Sequence, residues 1–198
     1  MNRQEKKRLK TIATIKIVFM ELLLEDVVFE DITVKEITER ADFNRSTFYL
    51  YFQDKHELAE SLFNEALQAY THAVMSPYEE GQIVGLDGDV PSDRLIFDCI
   101  AENKQLFSAL DRLQIPPTIY ERMEQTCLAL FSTNIQLVQE KTDPSIDYNL
   151  FLHYQVAAMI GLIKYWIRNN FEETAPYMTE QFRSFYTSRV KTMNITQK

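Results

Sequence analysis

The sequence predicts an all-α protein, and three observations carry the prediction. Glycine and proline are scarce, four and six in 198 residues, which leaves long stretches without a breaker. Apolar residues, 45% of the chain, recur every three or four positions, the spacing that puts them on one face of a helix. Caps and breakers bracket those stretches: Thr33, Asp54 and Ser92 stand at starts, Ser76-Pro77 and Asp143-Pro144 at stops. A chain of this length and composition can bury a real core, in one domain or in a small domain joined to a larger one.

The first helix is predicted from about Arg8 to Leu24, with Ile12, Ile15, Phe19, Leu22 and Leu23 on its inner face and Lys16 and Glu21 outside. Glu25 to Ile32 is a connector whose Phe29 and Ile32 pack inward. Thr33 and Glu36 have the spacing of a capping box, so a second helix starts at Val34, with Val34, Ile37 and Ala41 as its apolar stripe. Asp42-Phe43-Asn44 interrupts it: Asp tolerates left-handed backbone, Phe43 plugs the core and Asn44 caps the next helix. That short third helix, Arg45 to Leu50, presents Arg45, Ser46, Thr47 and Tyr49, side chains suited to phosphates and base edges, while Phe48 and Phe52 anchor it. Asp54 then caps a fourth helix, with Glu57 at its third position. Two short helices joined by a three-residue turn, the second one polar outside, are the pattern of a helix-turn-helix that reads DNA.

The run Ser46-Thr47-Phe48-Tyr49-Leu50-Tyr51-Phe52, followed by Asp54-Lys55-His56-Glu57-Leu58, resembles the recognition helix and following helix of TetR-family transcriptional regulators. The motif covers about a quarter of the chain. The resemblance implies a three-helix DNA-binding head followed by a larger helical domain that binds an effector and dimerises through its last two long helices. Three departures stand out. No glycine follows the first helix, the first being Gly81; Asp42 stands where glycine is usual in the turn; and Leu50 stands where a polar or basic residue is common. Leu50 therefore either loses a base contact or makes an apolar one to a thymine methyl.

The fourth helix runs from Lys55 into the Tyr70–Val74 region on a stripe of Leu58, Leu62, Ala66, Ala69 and Ala73, until Ser76-Pro77 stops it. Tyr78 to Pro91, with three glycines, is a loop; Asp87-Gly88-Asp89 lacks the remaining ligands of a calcium loop. Ser92 caps a helix through Ile100, Asn103-Lys104 separates it from another ending near Arg112, and Pro116-Pro117 opens a long helix with Met123, Cys127, Leu130 and Leu137 inside. Asp143-Pro144 breaks the chain. From Asp147 to about Asn170 the pattern is apolar nearly all round, which requires cover on both sides. One side packs on its own domain and the other seeks a partner, with Gly161 allowing close approach. A last helix, about Tyr177 to Met193, has compatible spacing. Two such helices from each of two chains make a four-helix homodimer interface, for which the candidates are Phe151, Tyr154, Ala158, Gly161, Leu162, Tyr165, Met178, Phe182, Phe185 and Arg189. The segment Gly161 to Ile167, with Tyr177-Met178-Thr179, is also similar to a TetR subgroup that includes regulators of dihydroxyacetone kinase operons.

The expected organisation is thus an N-terminal helix-turn-helix DNA-binding domain, residues 1–54, and a C-terminal helical effector-binding and dimerisation domain, residues 55–198, linked by the fourth helix. The formal charge of −8 argues against indiscriminate coating of nucleic acid, and most of the excess lies late: residues 1–60 hold ten Lys and Arg against twelve Asp and Glu. Arg3, Lys6, Lys7, Arg8 and Lys10 cluster at the start, either as a solvated tail or as contacts to an anionic partner such as the DNA backbone. Cys99 and Cys127 have no metal-site spacing and read as free thiols; His56, His72 and His153 are scattered; no metal and no cofactor is expected. Neither a Walker loop nor GxGxxG, HExxH or GxSxG occurs, so an enzyme is not expected. No secretory signal is read, and the longest apolar run, Val156 to Ile163, is too short to span a bilayer, which places the protein in the cytoplasm with no membrane partner.

The function expected is that of a homodimeric regulator, a repressor, that binds palindromic double-stranded DNA and is released by an effector. Arg45, Ser46 and Thr47 face bases or adjacent phosphates, and Thr33, Lys35, Tyr49, Tyr51 and Lys55 hold phosphates and register. Phe97, Phe107, Tyr120, Phe131, Tyr154 and Trp166 are the aromatic residues available to a pocket, but at helical spacing such residues are ordinarily core, and no ligand contacts are assigned. The alternative is a body that docks a partner protein instead of a small molecule, making the chain an activator or adaptor; a helical enzyme or scaffold that never touches DNA is the third reading.

Overall fold

A computed structural model of the chain describes residues 2–25, 27–79, 90–133 and 147–187. The described residues form α-helices and one short 3-10 turn, Phe29–Asp31. The helices are α1 (Arg3–Leu24), α2 (Val34–Arg40), α3 (Arg45–Tyr49), α4 (Lys55–Met75), α5 (Pro91–Glu102), α6 (Lys104–Arg112), α7 (Ile119–Thr133), α8 (Tyr148–Arg168) and α9 (Ala175–Thr187).

Local chemistry explains most boundaries. Asn2 caps α1 by accepting the Glu5 amide at 2.8 Å, which starts the helix five residues before the first predicted position. Thr33, Asn44, Asp54 and Asp147 cap α2, α3, α4 and α8 in the same way. Helix α9 starts at Ala175, two residues before its predicted position, and two further starts differ in how they are capped. Helix α5 begins at Pro91 with Val90 ahead of it and no side-chain cap, because Pro91 takes the first-turn position and the Ser92 hydroxyl instead accepts from Tyr78 at 2.7 Å. Pro116 and Pro117, joined by a cis peptide bond, lie before α7 rather than in its first turn. There Thr118 and Glu121 form a capping box, the Glu121 carboxylate accepting the Thr118 amide at 2.6 Å and the Thr118 hydroxyl accepting the Glu121 amide at 3.4 Å. Helix α8 stops where Asn170 and Phe171 adopt left-handed backbone, φ 52° and 55°, and the Phe171 amide returns to the Trp166 carbonyl. Residues 80–89 of the loop expected from Tyr78 to Pro91, the positions Leu137 and Asp143-Pro144, and the end of the last helix lie outside the described residues.

One continuous apolar core runs through the molecule, from Ile15 and Phe19 of α1 through Phe48, Leu58 and Tyr70 to Trp166 and Phe182. Helix α1 packs on α2 and also on α6; α4 packs on α5, α6 and α7; α8 packs on α6 and α7; α9 packs on α5. Trp166 sits at the centre of the body, fully buried, with Phe97 5.7 Å and Phe171 5.1 Å away in edge contact and its indole N–H donating to the Glu173 carbonyl at 2.9 Å. By length and composition α8 could cross a membrane, at mean hydropathy 1.3, yet it packs on α6 and α7 and carries Lys164.

Candidate nucleic-acid interface

The turn between α2 and α3 is set by its backbone. Asp42 lies at φ 55°, the Phe43 amide reaches back to the Thr38 carbonyl at 2.9 Å, and the Asp42 amide to the Glu39 carbonyl at 3.3 Å. Aspartate supplies here the left-handed turn for which glycine is the usual residue. Asn44 then organises α3. Its Oδ1 accepts the Thr47 amide at 2.8 Å and the hydroxyls of Ser46 and Thr47 at 2.6 and 2.8 Å. Both hydroxyls thus have their proton directed to Asn44 and offer only lone pairs elsewhere.

Phe48 and Phe52, buried and 5.6 Å apart, pin one side of α3 to the core. Ser46 and Leu50 each lie two residues from Phe48, about 200° round the helix, and form the ridge opposite that anchor. Leu50 keeps helical backbone, φ −71° and ψ −19°, and its amide donates to the Ser46 carbonyl at 3.2 Å. Arg45, Ser46, Tyr49 and Leu50 are exposed, and Thr47 and Tyr51 are half-buried. Among the predicted contacts on neighbouring elements, Thr33 and Lys35 are exposed at the start of α2; Lys35 has Glu39 at 3.7 Å across one turn.

Lys55 is placed differently from the sequence expectation. Its ammonium donates to the carbonyls of Phe29, Glu30 and Ile32 at 2.8, 2.6 and 2.9 Å and lies 4.6 Å from the centre of the Phe29 ring. An ammonium has three protons, and all three are engaged. In this geometry Lys55 ties the 3-10 turn to α4 and has no proton left over for a phosphate. A second brace joins α1 to α2: Arg40 forks onto both oxygens of Glu25, which holds the Glu25 carboxyl below its usual range.

The candidate partner face lies on α8 and α9. Leu150, Tyr154, Ala158, Gly161 and Tyr165 are exposed along one stripe of α8, Phe151 and Leu162 are half-buried beside it, and Tyr177 and Phe185 are exposed on α9. Among the described residues, no other element comes within 4 Å of where a side chain at Gly161 would begin. Met178 and Phe182 do not belong to this face. Both are buried in the chain's own core, Phe182 with its ring 6.2 Å from Phe97 of α5, so the sequence pattern assigns to a partner what α5 takes. Arg189 lies outside the described residues. Leu150, 70% exposed, belongs to the stripe although periodicity does not single it out, because it sits one turn before Tyr154.

The aromatic residues considered for a pocket do not line one together. Phe97, Phe107, Tyr120 and Trp166 are buried core, Phe131 is half-buried and Tyr154 points outward. Among the described residues, clefts open at the surface. One of about 490 Å³ lies along α4 between Asn64 and Met75, and one of about 850 Å³ lies where Leu24 of α1 meets α6 and the end of α8. Beside the second, the Asp111 carboxylate accepts from the Tyr120 hydroxyl at 2.9 Å and from Arg168 at 3.1 Å. Burial and the Asp111 charge hold the Tyr120 hydroxyl far above its ordinary pKa. Sequence spacing could not reveal that link, since Asp111 and Arg168 are 57 residues apart. Among the described residues no group of three or more His, Cys, Asp and Glu side chains could hold a metal.

Comparison with known proteins agrees with this architecture. The sequence model described as bacterial regulatory proteins of the tetR family matches residues 23–62, and one described as a transcriptional regulator C-terminal region matches residues 94–188. No curated protein matches the sequence. Among solved structures, a TetR transcriptional regulator from Streptococcus agalactiae is 19% identical, with 92% of this chain and 96% of that one covered at a TM-score of 0.59. The dihydroxyacetone kinase operon activator DhaS is 18% identical, with 89% and 94% covered at a TM-score of 0.60. A protein from Syntrophomonas wolfei assigned to the TetR family is 18% identical, with 93% and 95% covered at a TM-score of 0.66. Likeness at this identity is one of fold. With the first sequence model lying on the helix-turn-helix, the second on the body, and both agreeing with the helical order, the chain belongs to the TetR family of transcriptional regulators, a family of regulators and not of enzymes.

Proposed function

We propose that the protein acts as a homodimeric repressor whose two α3 helices enter successive major grooves of a palindromic operator, about 34–36 Å apart, one helical turn of DNA. The observation that carries this reading is the exposed ridge of α3, with Ser46 and Leu50 opposite a buried Phe48 and with Arg45 and Tyr49 exposed at its side. Arg45 supplies charge to a phosphate or a guanine edge. Ser46 and Thr47, with their protons on Asn44, accept from the amino groups of adenine or cytosine. Thr33, Lys35, Tyr49 and Tyr51 hold backbone phosphates, with Lys55 bracing the turn behind them. The α8–α9 face joins two chains, and residues 1–54 and 55–198 serve as head and body. An effector bound to the body favours a dimer whose heads stand at another separation, and the operator is released.

A second reading, an activator or adaptor whose body docks a protein, is favoured by two observations. The candidate pocket aromatics are packed as core or turned to the surface, and one protein of the same fold, DhaS, is an operon activator.

Fluorescence anisotropy on duplex DNA from immediately upstream of the gene, over a salt series, tests the proposal. Wild type binds specifically, with a log–log salt slope of about 0.9 per phosphate contact, and Thr47→Ala/Tyr49→Ala loses that binding. Equal, weak binding of both proteins to the upstream duplex and to every duplex selected from random DNA overturns it. Transcript levels of the adjacent genes after deletion separate the readings: they rise for a repressor and fall for an activator.

A further inference from the structure

Among the described residues Leu50 is the most exposed large apolar side chain, at 75%, and it stands on the ridge of α3 farthest from the core. The fold does not use it. Its backbone closes the last turn of the helix, but its side chain covers no part of the core, whereas Phe48 and Phe52 on the opposite side are buried. An apolar group in that place gains from contact only with another apolar group. On the floor of the major groove the base edges offer donors and acceptors, and one apolar group, the C5-methyl of thymine. Ser46, one turn earlier on the same ridge, turns lone pairs outward and suits an amino group on a neighbouring base.

We propose that Leu50 is a specificity-determining residue that meets the C5-methyl group of a thymine in each operator half-site. The inference rests on the DNA-binding reading above and deepens it, since it names the chemical group that one position of α3 selects. It also gives the departure at Leu50 a physical role: a polar side chain there reads a donor or an acceptor, and leucine reads a methyl.

Deoxyuridine differs from thymidine by that methyl alone, which makes the test direct. Duplexes enriched by the wild-type protein from a random library are resynthesised with deoxyuridine at each thymine in turn, and binding is measured for wild type, Leu50→Ala and Leu50→Met. At one thymine in each half-site wild type loses about fourfold in affinity, the factor expected for one buried methyl. Leu50→Ala, which removes the contact from both half-sites of the dimer, binds the parent duplex more weakly by about the square of that factor, roughly sixteenfold, and is indifferent to deoxyuridine at that position, a coupling that a double-mutant cycle reads directly. Leu50→Met, which keeps apolar reach, keeps the response. Enrichment of a duplex at which wild type responds to no methyl, or at which Leu50→Ala responds as wild type does, overturns this inference and leaves DNA binding standing. If the wild-type protein enriches no sequence at all, the DNA-binding reading falls and this inference with it. Leu50 is exposed, so the variants keep the helical circular dichroism of wild type.

Discussion

The ammonium of Lys55 has three carbonyl oxygens within 2.9 Å, and that geometry makes a residue that looks like a phosphate ligand into a structural one. Hydrogen bonds to a charged donor contribute about 1.5–3 kcal/mol. Lys55→Met is therefore expected to lower the urea midpoint by the equivalent of about 2 kcal/mol while leaving the salt slope of DNA binding unchanged. A variant of wild-type stability with a shallower slope would return Lys55 to the phosphates. Cys99 offers a titration at the same scale. Burial, and then the nearby Glu102 charge, push its thiol from its ordinary 9.0 up to about 11. The folded chain keeps this proton to a higher pH than the unfolded chain does, so the contribution is complete below about 9 and is lost as pH rises toward about 11. Stability measured across that window falls, and Cys99→Ala falls less steeply; parallel curves for the two proteins would discard the assignment.

Helix α3 has five residues and cannot hold itself together on propensity, since isolated helices this short are unstable in water. Two features compensate. Phe48 and Phe52 fasten it to the core, and Asn44 gathers an amide and two hydroxyls on one oxygen. Asn44→Ala removes the cap at a cost of about 1–2 kcal/mol and frees the Ser46 and Thr47 hydroxyls. Amide hydrogen exchange should quicken in α3 well before α4, and operator affinity should drop. Uniform loss of protection along the chain would show that Asn44 supports the whole fold instead. Helix α7 illustrates the same logic at a start: Thr118 and Glu121 satisfy its first amides, so the two prolines before it are not needed inside.

In the whole molecule, packing crosses the boundary between head and body. Helix α1 touches both α2 and α6, and within the body Arg122 of α7 forks onto Glu60 of the linking helix α4 at 2.9 and 2.6 Å with its guanidinium 4.1 Å from the centre of the Phe63 ring. Movement in the body thus has rigid elements through which to reach α3. The proposed dimer face belongs to this scale as well. Among the described residues of one chain nothing occupies the space beside Gly161, and leucine is a better helix former than glycine by roughly 0.8 kcal/mol. Gly161→Leu should keep or improve the helical fold while weakening association, and Tyr154→Asp/Tyr165→Asp should give a monomer by sedimentation equilibrium. An unchanged dimer mass in both would move the interface elsewhere.

The sequence by itself determined the helices and the reading head, because both depend on neighbours within a few residues. Thr33 and Glu36, Asn44 and Thr47, and Asp54 and Glu57 are three residues apart and meet on any helix that starts there. The stripe of α4 likewise ends where Ser76-Pro77 requires. What only the tertiary structure decided is which apolar or charged side chain is already taken. Met178 and Phe182 have the spacing of an interface, but both are buried in the chain's own core, Phe182 against Phe97 of α5; Lys55 has the position of a phosphate ligand, but the turn at Phe29–Ile32, about 25 residues earlier, claims it. Leu50 is the converse case, an apolar residue that no distant element covers. Periodicity reports that a face exists, and burial by remote parts of the chain decides whether the face is left for DNA, for a second subunit or for the core.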